Sequence, residues 1–189
     1  MTFQKKTSRV WLTLIVSALA VIAVGFMSTY AGTAAAATRS QESNNTLVNQ
    51  VRHELVMLPW YGVFDNLEFT VNGGEVTLEG QVVRPIIKDD AEAVVKKLAD
   101  VTRVVNNIEV LPPSMFDDQI RRAEFRTLFS KADLGRYTMG AIPQVHIIVK
   151  NGHVSLEGTV MNQMDKTIAG IAANTVPGVF SVENNLHIG

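Results

Sequence analysis

The chain of 189 residues contains no cysteine. This absence excludes thiol catalysis, iron–sulfur clusters, cysteine-based zinc sites and disulfide bonds, and it leaves no thiol to carry a lipid. Phosphate-binding loops, G-x-S-x-G elbows and H-E-x-x-H motifs are also missing from the sequence. We therefore predict that the protein is not an enzyme and that it binds no cofactor.

The N-terminus has the pattern of a targeting segment. Lys5, Lys6 and Arg9 precede an apolar run over 10–27, and the alanines at 34–37 offer a cleavage site. We predict a signal peptide at 1–37, a linker at 38–43 and a periplasmic protein. The alternative is an uncleaved inner-membrane anchor facing the periplasm, because the run is long enough to span a bilayer. Export without disulfides is typical of a bacterial envelope.

The charge balance argues against a nucleic-acid partner. The whole chain has a formal net charge of −1. Removal of 1–37 takes away three cations and no anion, so the remaining chain has a net charge of −4. Nucleic-acid-binding proteins usually present an excess of Lys and Arg, which this chain lacks.

The sequence contains an internal repeat. Residues 69–82 recur at 147–160, and the same register continues without a gap to Val110 and Ile188. The identical positions are mainly apolar residues, Gly and Asn, which are types that determine a fold. No identical pair supplies an acid and a base, or a nucleophile. The repeat therefore indicates a duplicated folding unit rather than a duplicated active site.

The periodicity of each copy predicts the order helix, hairpin, helix, strand. The first helix of copy one is expected to begin at Asn44 or Asn45, and its second helix at Pro85. The first helix of copy two is expected over 117–132. We predict an α/β fold (α+β, two layers) in which each α-β-β-α-β domain has a three-stranded mixed sheet. The last strand lies parallel to the second, and both helices cover one face. The expected domains are 44–111 and 117–189, joined by a Pro-rich linker at 112–116.

Three segments of each copy resemble the BON domain, a family of bacterial osmotic-shock and nodulation proteins. They are the strand V-x-L-x-G-x-V at 76–82 and 154–160, the helix after it, and the closing pattern at 101–110 and 179–188. The resemblance implies a periplasmic or outer-membrane-associated protein that binds phospholipid, supports envelope integrity under osmotic stress and has no catalytic site. The alternative function is a protein-interaction or cell-wall-binding module of an envelope assembly.

The helix expected at 117–132 is the first candidate for lipid binding. Arg122 and Arg126 fall on one helical stripe, with Phe125 and Phe129 alongside. Cations beside aromatic rings suit an anionic headgroup surface. The alternative is a solvated face whose two phenylalanines are buried against copy one.

A second candidate is the aromatic segment before the first hairpin. Trp60, Tyr61 and Phe64 lie close together in the sequence, with Val63 between them. They predict either a loop that contacts a membrane or partner protein, or a plug that closes the core of a small domain. The plug is the favoured interpretation.

Four repeated residues are expected to be structural. Gly80 and Gly158 lie in the inward phase of a strand, so a side chain there should clash with the covering helix. Asn106 and Asn184 lie in the inward phase of the last strand and should tie a loop or helix end to the sheet.

Three histidines of copy two share the polar phase of its sheet with Glu157. They are His146, His153 and His187. Imidazoles and a carboxylate are zinc ligands, but copy one has no equivalent histidines. We therefore expect exposed surface histidines and no metal site.

Overall fold

The computed structural model describes residues 41–189, except Asp133 and Ala141. The predicted signal peptide or anchor lies outside the described residues, as does the first half of the linker at 38–43. No helix within the described part of the chain is long and apolar enough to cross a membrane.

Each copy has the predicted order of elements. Copy one consists of α1 (41–56), β1 (Asn66–Asn72), β2 (Glu75–Val82), α2 (Pro85–Val95), β3 (Arg103–Asn106) and β4 (Glu109–Val110). Copy two consists of α3 (Met115–Arg126), β5 (Val145–Lys150), β6 (His153–Val160), α4 (Gln163–Ala173), β7 (Ser181–Asn184) and β8 (His187–Ile188). A π-helical turn (Thr127–Lys131) and a 3-10 helix (Gly135–Thr138) lie between α3 and β5.

The sheets have the predicted mixed topology. β2 is central, antiparallel to β1 and parallel to both β3 and β4. β6 has the same neighbours in copy two, namely β5, β7 and β8. The last strand of each copy is divided into two short segments rather than continuous. At the break in copy one, the Ile108 N–H donates to the Asn106 side-chain oxygen at 3.2 Å instead of to a strand.

Both helices of copy one cover one face of its sheet, as predicted. Val51 of α1 and Ile87 of α2 are fully buried in the same core as Val76, Leu78 and Val82. These three residues alternate along β2, so they point to the same side of the sheet. Copy two has its own core, in which α3 and α4 pack on the corresponding face of β6.

Two helix starts differ from the prediction. Asn44 and Asn45 lie inside α1, which is already helical at residue 41, so neither caps it. α3 begins at Met115 rather than 117, because the Ser114 hydroxyl accepts a hydrogen bond from the Asp117 N–H at 3.1 Å and caps the helix. The prediction that Pro85 starts α2 is confirmed.

The two repeated glycines are required by the neighbouring strand, not by a helix. Gly80 and Gly158 have positive φ values of 109° and 111°. A Cβ atom would lie 2.2 Å from the Asn66 oxygen at Gly80, and 2.1 Å from the Gln144 oxygen at Gly158. The prediction of a clash with the covering helix is therefore wrong, since the obstacle is backbone at the start of the hairpin.

The two repeated asparagines make the same connection in both copies. The Asn106 amide donates to the Lys88 carbonyl oxygen at 3.0 Å, and the Asn184 amide donates to the Lys166 carbonyl oxygen at 2.7 Å. Each amide therefore ties the second helix of its copy to the break in the last strand. The contact reaches the body of the helix rather than its end.

The segment before β1 joins the two copies. The main-chain N–H of Ile147 donates to the Val63 oxygen at 2.7 Å, and Nδ1 of His146 lies 3.2 Å from the Gly62 oxygen. An ion pair of 2.6 Å between Lys150 and Glu109 also connects the copies. β5 is consequently buried along both faces from Val145 to Val149, whereas β1 is not.

Candidate functional site

The exposed face of α3 is held in a fixed position by its N-terminal turn. The Asp117 carboxylate is 1% exposed and accepts hydrogen bonds from the Asn151 N–H at 3.0 Å and the Gly152 N–H at 2.8 Å. The start of α3 is thereby fastened to the turn between β5 and β6. The sequence favours this arrangement, because an acidic residue three positions after a Ser cap is stabilised at a helix N-terminus.

At the other end of α3, two side chains of copy one meet three residues of the helix, namely Arg122, Phe125 and Arg126. These five residues line a shallow hollow of about 280 Å³, and Val63 and Phe64 supply the copy-one part of it. The Phe64 and Phe125 rings meet edge to face, with centroids 6.3 Å apart. We call this composite surface the α3 hollow. Of the described residues that line it, none is acidic.

Phe129 does not belong to the α3 hollow, contrary to the prediction. Regular α-helix ends at Arg126, and Phe129 lies on the π-helical turn, which turns side chains away from the α-helical stripe. Phe129 is 8% exposed and belongs to the core of copy two. Its ring supports Phe125 from beneath, with centroids 5.0 Å apart.

A cleft of about 290 Å³ adjoins the α3 hollow and shares Val63, Phe64 and Arg122 with it. Trp60 and Arg84 form one wall, and the Arg84 guanidinium lies 5.1 Å from the centre of the indole ring. Trp60 is 68% exposed and has a φ of 71°, a conformation that bulky residues rarely adopt.

Two acidic residues also line the cleft, and both already have hydrogen-bond partners. Asp118 pairs with Arg121 at 2.6 Å. Asp65 accepts from the Gly62 N–H at 3.1 Å and the Val83 N–H at 2.8 Å, while burial raises its pKa. The two remaining charged side chains of the cleft, Arg84 and Arg122, are cationic.

The aromatic segment joins the copies rather than closing one core. Tyr61 packs against the core of copy one and stacks on His146, and burial raises the pKa of Tyr61 to about 12. Phe64 packs against the core of copy two. Phe64 therefore covers the core of copy two rather than that of copy one, and the interpretation as a plug fails for Trp60, which remains exposed.

The histidines do not form one group. His146 is 7% exposed, so the expectation of an exposed side chain is wrong for this residue, because Tyr61 and Gly62 cover it. Burial lowers the pKa of His146. His153 and His187 are exposed. Among the described residues, no cluster of three or more His, Asp and Glu side chains could hold a metal ion.

Glu124 is a buried carboxyl group that the predictions did not include. It is 0% exposed, and neither side-chain oxygen has a hydrogen-bond partner among the described residues. Burial raises its pKa to about 8. The sequence carries a signal for this position, because Ile120, Glu124 and Leu128 follow the i, i+4, i+8 spacing of a buried helix face.

A second buried polar group fixes the loop before β5. The Tyr137 hydroxyl donates to the Asp165 carboxylate at 2.5 Å and accepts from the Met161 N–H at 2.9 Å. Arg136 pairs with the same carboxylate, which lowers the pKa of Asp165. The Asn162 side chain caps α4 through the Asp165 N–H at 2.8 Å, a spacing readable from the sequence. These bonds connect the 3-10 helix before β5 to the start of α4.

Comparisons with solved structures find the C-terminal domain of CdsD, a structural protein of the type III secretion system of Chlamydia trachomatis. It is 17% identical and matches 76% of this chain and 97% of its own length, with a TM-score of 0.27. A second CdsD structure is also 17% identical, matching 76% of this chain and 93% of its own length, with a TM-score of 0.28. TM-scores this low support no conclusion about this chain. No curated protein matches the sequence.

The family comparison is decisive. The model of the BON domain matches residues 43–112 and again residues 117–189. The two matches together cover more than half of the chain and coincide with the two copies of the fold. The protein belongs to the BON domain family and carries two tandem copies of the domain.

Proposed function

We propose that the protein is a non-catalytic component of the bacterial envelope that binds anionic phospholipid surfaces through the α3 hollow. The observation that carries this proposal is the placement of Arg122 and Arg126, both exposed, at the edge of an apolar surface built from both copies. Membership of the BON family and the N-terminal targeting pattern support the envelope location.

The α3 hollow combines the two contacts that an interfacial lipid surface requires. Phe125 is 37% exposed, so it offers apolar area without being free to rotate, because Phe64 and Phe129 hold its ring on two sides. Arg122 and Arg126 lie one turn apart on α3 and face lipid phosphates together. Guanidinium groups bind phosphate oxygens in pairs of parallel hydrogen bonds, which favours Arg over Lys at such a site.

The cleft beside the α3 hollow extends this surface toward the headgroup layer. Arg84 stands above the exposed Trp60 ring, and indole rings favour the depth of the headgroups in a bilayer. A phospholipid whose acyl region contacts Phe125 therefore has Arg84 as a further cationic group beside Arg122.

The proposal is tested by co-sedimentation of residues 38–189 with vesicles of neutral lipid and with vesicles that contain anionic lipid. We expect binding to the anionic vesicles alone. The Arg122→Ala/Arg126→Ala variant should lose most of that binding, and Phe125→Ala should weaken it. The matched control is Arg52→Ala/Arg103→Ala, which removes the same charge from exposed arginines of copy one.

The control separates a local site from the effect of net charge. Equal loss in both double variants would mean that total charge, not the α3 hollow, determines binding. Equal binding of wild type to neutral and anionic vesicles would contradict the proposal. Binding to purified cell wall but to neither vesicle would favour the alternative, a cell-wall-binding module.

A further inference from the structure

Arg121 is a buried cationic side chain that lines the cleft beside the α3 hollow. It is 3% exposed, and its guanidinium donates to the Asp118 carboxylate and to the Val149 oxygen, each at 2.6 Å. Its Nε has no hydrogen-bond partner among the described residues. A guanidinium carries five N–H donors, so the two bonds fix the group without using all of its donors. The cleft therefore contains a cation that is held in place and retains hydrogen-bonding capacity.

Both copies contribute cations to this cleft. Arg84 comes from the residue just before α2, whereas Arg121 and Arg122 come from α3. Burial raises the pKa of Asp65, and the positive charges of Arg84 and Arg121 oppose that rise, so both guanidinium groups act on one carboxyl group. The set of cations is consequently incomplete without either copy.

The charges of the cleft favour a ligand with a single negative charge. Three arginines and two aspartates line it, which leaves one positive charge when both carboxyl groups are ionised. Asp65 accepts two main-chain N–H bonds and Asp118 pairs with Arg121, so each carboxylate already has partners within the protein. An anion of one charge balances the cleft, whereas a dianion would leave an excess of charge whose burial is costly.

Trp60 forms part of the wall of the cleft in an unusual backbone conformation. Its φ is 71°, and strained conformations of this kind collect at functional sites. The Arg84 guanidinium lies 5.1 Å from the centre of the indole ring. A guanidinium over an indole is attracted to the ring face, while the N–H groups at its edge stay free to bind an anion.

We propose that the cleft binds one phosphodiester group, with Arg84 and Arg122 donating to its oxygens beside the fixed Arg121. Guanidinium groups from two elements suit the tetrahedral oxygens of phosphate better than the two oxygens of a planar carboxylate. A phosphodiester has one negative charge and two substituents. Val63 and Phe64 line both the cleft and the α3 hollow, so one substituent can continue along apolar surface.

Two sources share this ligand chemistry. The phosphodiester of a lipid headgroup would make the cleft the headgroup site of the proposed function, and the inference rests on that function for this source. A water-soluble phosphodiester presents the same group without a membrane. The experiments therefore test the cleft and the membrane separately.

Fluorescence of Trp60 tests the cleft without a membrane. The sequence has two tryptophans, Trp11 and Trp60, so Trp11→Phe leaves Trp60 as the single reporter. The full chain with this substitution is produced in a bacterial envelope, purified and titrated with glycerophosphoglycerol, a water-soluble phosphodiester. We expect a saturable change in emission, and a much smaller change with glycerate, a carboxylate of the same charge. No saturable response to the diester, or an equal response to glycerate, overturns the proposal.

Arg84→Ala tests the contribution of copy one to the cleft. Arg84 is exposed, so its truncation leaves the core intact, and the affinity for glycerophosphoglycerol should fall about tenfold. The matched control is Arg103→Ala, an exposed arginine of copy one that does not line the cleft. Equal affinities of the two variants overturn the proposal. Melting curves check that both remain folded.

Vesicles distinguish this proposal from the proposed function. Phosphatidylcholine, whose choline cation repels the arginines, is mixed with phosphatidylglycerol in one preparation and with oleic acid in another of equal negative charge. We expect stronger co-sedimentation with phosphatidylglycerol, and loss of that preference in Arg84→Ala. Equal binding to both preparations would support an anionic surface site but overturn the phosphodiester site. Binding to neither preparation, with a saturable response to glycerophosphoglycerol, would contradict membrane binding and support a site for a soluble phosphodiester.

Discussion

The main-chain N–H of Ile147 donates a 2.7 Å hydrogen bond to the carbonyl oxygen of Val63, which joins the two BON domains backbone to backbone. The bond places the residue after Val63, Phe64, against Phe125 of α3. The α3 hollow consequently exists only when both copies are folded and in contact. Lipid binding should therefore report on the junction between the domains as well as on α3 itself.

The first prediction concerns salt. Binding to anionic vesicles should weaken progressively as the salt concentration rises, because exposed charges are screened beyond roughly 8–10 Å near physiological ionic strength. Co-sedimentation over a salt series measures the effect. Binding that is unchanged across the series would point to an apolar contact, with the exposed Trp60 as its first candidate.

The second prediction concerns the strand glycines. Gly158→Val should lower the melting temperature and cost about 1–3 kcal/mol or more, because valine is strained at a φ of 111° and its Cβ meets the Gln144 oxygen. Gly73→Asn is the matched control. Gly73 also has positive φ, but its Cβ direction is open and Asn tolerates this conformation. Similar melting curves for the two variants would show that the close contact at Gly158 is unimportant.

The third prediction concerns the pH dependence of stability. The pKa of Glu124 is about 8 in the folded protein, above its ordinary value of 4.5. The unfolded chain therefore releases this proton more readily than the folded chain does. The contribution of Glu124 to stability is full below pH 4.5 and is lost as the pH rises toward about 8.

The measurement compares wild type with Glu124→Gln, which keeps the size of the side chain and removes its titration. Urea denaturation at several pH values between about 5 and 8 should show a larger loss of stability in wild type. Other shifted groups, such as Asp65 and His146, are present in both proteins and cancel in the difference. Parallel pH curves for the two proteins would exclude Glu124 as the titrating group.

The fourth prediction concerns the asparagine ties. Asn184→Ala removes the bond to the Lys166 oxygen and the one from the Leu186 N–H, so it should cost about 1–2 kcal/mol in the free energy of unfolding. Asn174→Ala removes a single exposed amide bond to the Gly170 oxygen and should cost less. Chemical denaturation of both variants measures the difference. Equal costs would mean that the tie between α4 and the strand break adds no stability.

The parts of the fold that were predicted correctly depend on residues close together in the sequence. The predicted hairpin of copy two turns at Asn151 and Gly152, residues that tolerate positive φ, and the observed values are 53° and 79°. The placement of both helices on one sheet face follows from their apolar spacing. Strand order follows from the handedness of the connections between parallel strands.

The parts that could not be predicted depend on contacts between distant segments. His146 lies in the polar phase of β5, and only the position of Tyr61 and Gly62 buries it. The composition of the α3 hollow likewise requires Val63 and Phe64 to reach the second domain. The assignment of Phe129 to the lipid-binding stripe was wrong for a local reason, because a π-helical turn has no clear sequence signal.

Because copy one buries β5, the order in which the two domains fold matters for copy two. A chain that is synthesised from its N-terminus presents copy one first, and domains generally fold as they appear. The 61–64 segment can therefore be in place before the last strands of copy two leave the ribosome. A rearranged gene that encoded copy two first would release β5 with an open edge and an uncovered Ile148, and open apolar edges favour aggregation. The order of the copies in this chain thus protects the more vulnerable domain while it forms.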